Sequence, residues 1–155
     1  MKDQTDKLRD ETIDLLNGLI ETCKDGENGF RTAAEGVNDP SLQRLFLSYA
    51  QQRGEFAAEL QACVVQVGGK PAVDGHLAGA FHRGWINIKA AVSGKDEGAI
   101  VAECERGEDV AVSNYRNALE SGFAADILSI VERQFLQVKE AHDHVRSLER
   151  AYEKK

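Results

Sequence analysis

Five polar side chains, Glu27, Arg53, Glu105, Glu108 and His142, fall where this chain should be apolar. Each interrupts the core-facing stripe of a predicted amphipathic helix. A charge taken out of water is costly unless it is paired, hydrogen-bonded or bound to metal. Two chemistries suit these residue types. One is an internal ion-pair layer in which Arg53 bridges carboxylates through charge-assisted hydrogen bonds. The other is coordination of a metal ion by Glu27, Glu105, Glu108 and His142. Carboxylate and imidazole ligands take zinc, manganese or iron with little discrimination. Lys139, one turn before His142, is expected to join Arg53 in the buried polar layer.

Other chemistry finds less support. The chain has no Gly-rich phosphate loop, no nucleophile elbow and no Cys-x-x-Cys pair, so hydrolase, kinase and thioredoxin-like readings are poor. Cys23, Cys63 and Cys104 are far apart in the chain and read as reduced thiols packed like small apolar residues. His76 and His82 fall in a connecting segment, and His144 on a solvated face. His82-Arg83-Gly84-Trp85 reads as a packing motif in which Trp85 closes one side of the core and its indole N–H seeks an acceptor. An anion or partner site at His82 and Arg83 is the functional alternative.

The elements that must position these residues are long helices. Heptad rows Ile13, Ile20, Glu27, Ala34 and Leu16, Cys23, Phe30, Val37 predict a helix over about residues 12–37. Gly26 and Gly29 flank Glu27 and allow close backbone approach or a local distortion. Asp39-Pro40 stops that helix and caps the next, over about 41–67, with rows Leu42, Tyr49, Phe56, Cys63 and Phe46, Arg53, Leu60, Val67. A short helix is expected over about 77–92, inside a connection long enough to travel the length of a bundle. The third long helix, about 96–121, carries rows Val101, Glu108, Tyr115 and Glu105, Val112, Leu119. The fourth, about 125–152, carries Val131, Val138, Val145, Tyr152 and Leu128, Phe135, His142. Counting about 1.5 Å per residue from the turns places all the interrupting residues near mid-bundle.

At 155 residues the chain, 1–155, is expected to be a single all-α domain. Its net charge of −7 and lack of a basic stripe argue against nucleic acid. No apolar run approaches the ~20 residues of a membrane span, and residues 1–11 lack a signal-peptide core. The cytoplasm is the expected compartment.

The segments Asp25-Gly26-Glu27-Asn28-Gly29-Phe30, His82-Arg83-Gly84-Trp85, Glu105-Arg106-Gly107-Glu108-Asp109 with Tyr115, and Lys139-Glu140-Ala141-His142-Asp143 resemble an uncharacterised bacterial family of ferritin-like proteins. The resemblance spans roughly residues 12–148. It implies a ferritin-like antiparallel four-helix bundle with a long crossover between helices two and three. The wider class implies a di-iron centre built from one Glu on each of two helices and a Glu-x-x-His pair on each of the others. Glu27 and either Glu105 or Glu108 match the single glutamates. Arg53 and Phe56 replace one Glu-x-x-His pair, and Lys139 replaces the glutamate of the other. The expected function is that of a non-enzymatic structural or interaction protein, a homo-oligomer and specifically a dimer, with a possible protein partner. The alternative is a divergent iron, zinc or manganese protein.

Overall fold

The computed structural model describes residues 3–75 and 84–154. Four long helices, α1 (Gln4–Gly36), α2 (Pro40–Gln66), α4 (Glu97–Ser121) and α5 (Ala125–Glu153), enclose the core, and the short α3 (Ile88–Ser93) precedes α4. The helix starts follow from short polar caps. Asp3, Asp39 and Asp96 each accept a backbone N–H of the first turn, and Pro40 opens α2 where its missing N–H costs nothing. Gly122 ends α4 with φ 86°, a conformation that favours glycine. The helix expected from about residue 12 begins at Gln4 because Asp3 caps it, holding Asp6 N–H at 2.9 Å.

The described parts of the crossover touch α1 at points from Asn17 to Gly36. Ala72 N–H donates to Asn17 Oδ1 at 2.8 Å, Trp85 packs on Gly29, and Val92 packs on Gly36. It then delivers α4 beside the α1–α2 turn, where Glu97 accepts the N–H groups of Asn38 and Asp39. The α4–α5 turn therefore sits at the opposite end, where Phe123 packs against the same apolar cluster as Ile13 and Val67. This connectivity gives the antiparallel bundle with a bundle-length crossover expected from the sequence.

The expected helix over 77–92 lies partly outside the described residues. Residues 84–87 form turns, and only Ile88–Ser93 is α-helical among the described residues. A Cβ on Gly84 would lie 2.7 Å from the Cα of Gly107, so the crossover backbone is pressed against α4. Residues 76–83, which carry His76, His82 and Arg83, lie outside the described residues.

Trp85 explains two helical glycines. A Cβ on Gly29 would come within 2.3 Å of the indole, and one on Gly107 within 2.2 Å. The ring thus fills a slot that α1 and α4 open only by lacking side chains there. It also meets Phe30 edge-on, with centroids 5.0 Å apart.

Apolar packing falls into two clusters. One gathers Leu16, Ile20, Leu60, Val64, Tyr115 and Val131; the other gathers Phe30, Phe46, Trp85, Ile100, Val101 and Val145. Between them lies a polar level.

Candidate functional site: a core ion pair and a histidine–carboxylate cluster

The polar level is built by Arg53 on α2 and Glu108 on α4. Both side chains are essentially out of water, at 1% and 0% exposure. Arg53 Nη1 donates to Glu108 Oε1, and Nη2 donates to Oε2 at 2.7 Å. The pairing is a bidentate fork, the strongest geometry available to a guanidinium and a carboxylate. Burial works to lower the Arg53 pKa, but the charge and hydrogen bonds of Glu108 outweigh it and raise the value. Arg53 Nε is 3.3 Å from Gln52 Oε1, and its guanidinium lies 5.5 Å from the Phe30 ring centroid. The packing that admits so large a side chain is legible in Gly26, where a Cβ would already be 3.3 Å from Arg53 Cγ.

Glu27 does not join this pair. It is half-buried, lies over Gly54 on α2, and is held by Lys24 and Arg31, each at 3.3 Å. Lys139 is a correction to the expected layer. It is 48% exposed and bonds Asp143 at 3.3 Å, one turn along the outside of α5. A cation there remains hydrated and has no reason to enter the core.

Glu105 and His142 meet each other, away from Glu108. They lie on the seam between α4 and α5 together with Asp109, and one ligand atom from each falls within 4.8 Å of the others. His142 Nε2 is 2.6 Å from Asp109 Oδ1, and Nδ1 is 3.0 Å from Asp143 Oδ1. Burial opposes the charged ring, but the bonds to Asp143 and Asp109 prevail and raise its pKa. Glu105 contacts Arg146 at 3.7 Å. It also hydrogen-bonds Glu149, whose carboxyl is pushed up to about 7 by that bond, by partial burial and by its acidic neighbours. The four expected metal ligands therefore do not share one sphere. Glu108 is committed to Arg53, Glu27 to surface cations, and only Glu105 and His142 converge.

Two buried polar groups, Gln134 and Glu103, fall outside the rows read from the sequence. Tyr115 donates to Gln134 Oε1 at 2.7 Å, and the Cys23 thiol is 3.0 Å from the same hydroxyl. Gln134 Nε2 continues the chain to Glu59 at 3.0 Å. Burial pushes the Cys23 thiol up to about 11, and it raises Cys104 and Tyr115 well above their ordinary values. Glu103 is buried on α4, with Oε2 unbonded among the described residues. All three cysteines are free and buried, as small core residues should be.

No described helix is long and apolar enough to cross a membrane. No curated protein is similar enough to match. A solved structure of a mutant Dps1 from Mycobacterium smegmatis superposes with a TM-score of 0.73, covering 93% of this chain and 98% of that one at 14% identity. That similarity establishes a ferritin-like, all-α fold. A profile for a domain of unknown function, DUF2383, matches residues 11–121. The chain belongs to the DUF2383 family of ferritin-like helical proteins.

Proposed function

We propose that this protein is a non-enzymatic ferritin-like bundle, a structural or interaction protein whose core holds an ion pair where its fold can hold two metals. The observation that carries the reading is the buried bidentate contact of Arg53 with Glu108. A di-iron carboxylate centre needs carboxylates facing a shared cavity and a Glu-x-x-His pair on two helices. Here α2 supplies Arg53 and Phe56 at that spacing, and α5 supplies exposed Lys139 with His142 turned to the seam. A fixed guanidinium repels a cation and uses both oxygens of Glu108. The residues do not fit a di-iron group, and no step through one follows.

The reading includes self-association, as a dimer, in a reducing compartment such as the cytoplasm. Exposed Leu47 and Val65 on α2 and Leu136 on α5 support the first part, and three free cysteines support the second. Metal analysis of untagged protein, before and after loading with ferrous iron, tests the core. The expectation is no metal pair that depends on Glu108 and no catalysed oxidation of ferrous iron. Two irons per chain, lost in Glu108→Gln and retained in His142→Gln, would overturn the reading. Light scattering at micromolar concentration tests association: a dimer is expected, and a strict monomer would remove that part.

A further inference from the structure

We infer that the α4–α5 seam is a binding site for one divalent first-row transition-metal ion, ligated by Glu105, Asp109 and Nε2 of His142. The site is separate from the core position that the fold uses for metal, and it does not depend on the core reading. Glu105 and Asp109 are four residues apart on α4, so they stack one turn above the other on the same face. His142 reaches them from α5. One ligand atom from each lies within 4.8 Å of the others. Ligands about 2.1 Å from a tetrahedral metal are about 3.4 Å apart. Small side-chain rotations close that difference, and all three residues stand on helices that fix their backbones.

The histidine is what distinguishes this place from an ordinary acidic surface. His142 is 8% exposed, so its ring is seated by packing rather than free in solvent. Its Nδ1 is engaged by Asp143 at 3.0 Å, which leaves Nε2 directed at Asp109, with a Glu105 oxygen close by. A carboxylate behind the distal nitrogen is the arrangement that orients a metal-bound imidazole and fixes its tautomer. One imidazole with two carboxylates selects zinc, manganese or ferrous iron over calcium or magnesium, which prefer all-oxygen ligands, and over cuprous copper, which prefers sulfur.

The seam also allows entry. A surface depression bordered by Val112, Ser113, Lys139 and Arg146 opens onto His142 and Asp109, so water can complete the coordination. Arg146 is the competing cation. It is 51% exposed and 3.7 Å from Glu105, beyond hydrogen-bonding distance, so a metal displaces it at small cost.

The test titrates the untagged full chain with Co²⁺, read by visible absorption, and with Zn²⁺, read by calorimetry. One ion per chain is expected. His142→Gln and Asp109→Asn should each weaken it at least tenfold, Asp143→Asn roughly tenfold through its hold on the ring, and Glu27→Gln not at all. Mn²⁺ broadening of amide signals in the unaltered protein needs no variant, and should centre on residues 105–109 and 142–146. Absent saturable binding, binding indifferent to both His142→Gln and Asp109→Asn, or broadening centred elsewhere would each overturn the site. Loss of metal in Glu108→Gln alone would instead strike the core reading.

Discussion

Arg53→Ala is the sharpest perturbation of the core. The guanidinium and Glu108 are both essentially buried, and every Glu108 oxygen bond seen here comes from Arg53. Truncation leaves a buried carboxylate with no ion-pair partner among the described residues, a loss of about 3–5 kcal/mol. For a domain of this size, each kcal/mol moves the melting temperature by about 2–4 °C, so a fall of roughly 6–20 °C is expected. Arg53→Lys should also lose stability, because an ammonium cannot reproduce the two-pronged contact. The decisive comparison is the double variant Arg53→Met with Glu108→Leu. Removing both charges removes the stranded carboxylate, so the double variant should be more stable than Arg53→Ala and near the parent. Thermal and urea unfolding followed by far-UV circular dichroism read all of these. A melting temperature unchanged in Arg53→Ala would refute the reasoning, and so would a double variant as damaged as the single.

The glycines divide by what faces them. Gly29→Ala and Gly107→Ala drive a methyl to within 2.3 and 2.2 Å of the Trp85 ring, and each should cost about 1–3 kcal/mol in urea unfolding despite the gain in helix propensity. Gly18→Ala meets nothing within 4 Å and should stabilise by about 0.5–1 kcal/mol in the same assay. Tyr115→Phe strands the Cys23 thiol and the Gln134 carbonyl, so a loss of about 1–3 kcal/mol is expected by thermal unfolding. Cys23 and Cys104 are buried with raised pKa values, so an aromatic disulfide reagent at pH 8 should label them slowly in the native protein and fully in denaturant. The Glu97 pKa is lowered, first by the Asn38 N–H and then by Tyr152. Its contribution is present above the ordinary carboxylate value and is lost as pH falls through the lower folded value. Glu97→Gln should therefore flatten part of the acid limb of a stability–pH profile while leaving its alkaline side unchanged.

Helix number, order and turn chemistry could be read from heptad spacing and from Asp39-Pro40 because those signals are local. The site was only half legible, and the reason is rotational. On α4 the second core row is Cys104, Ala111 and Ala118, and on α5 it is Ile127, Gln134 and Ala141. The rows chosen from the sequence, Glu105-Val112-Leu119 and Leu128-Phe135-His142, are each one residue further on. They contain larger apolar side chains and so look more core-like. In the folded bundle Val112 and His142 border the depression between α4 and α5 and Phe135 lies under Arg116 of α4, while Cys104, Ala111, Gln134 and Ala141 are buried on the neighbouring row. A slip of one residue is about 100° around a helix, enough to move Glu105 and His142 from the seam into an imagined interior. It also hid Gln134, whose place in the true row was its only signal. Asp109 could have been found as the residue four after Glu105, the spacing that stacks two carboxylates on one helical face.

The same rotation explains why one bundle can hold an ion pair and a histidine–carboxylate cluster without mixing them. Glu108 and Asp109 are adjacent in the chain and so about 100° apart around α4, and Asp109 shares its side of the helix with Glu105, four residues before it. Glu108 points between α1 and α2, where Gly26 leaves room for the Arg53 stem. Asp109 points to α5, where His142 waits at the edge of the core. The two sets are therefore electrostatically distinct. One carboxylate is neutralised by a fixed guanidinium out of reach of solvent. The others face an imidazole beside an open surface depression, with surface cations held only loosely. A mobile cation can compete only in the second place, because there its rivals are exposed arginine and lysine side chains rather than a buried fork whose removal strands a charge.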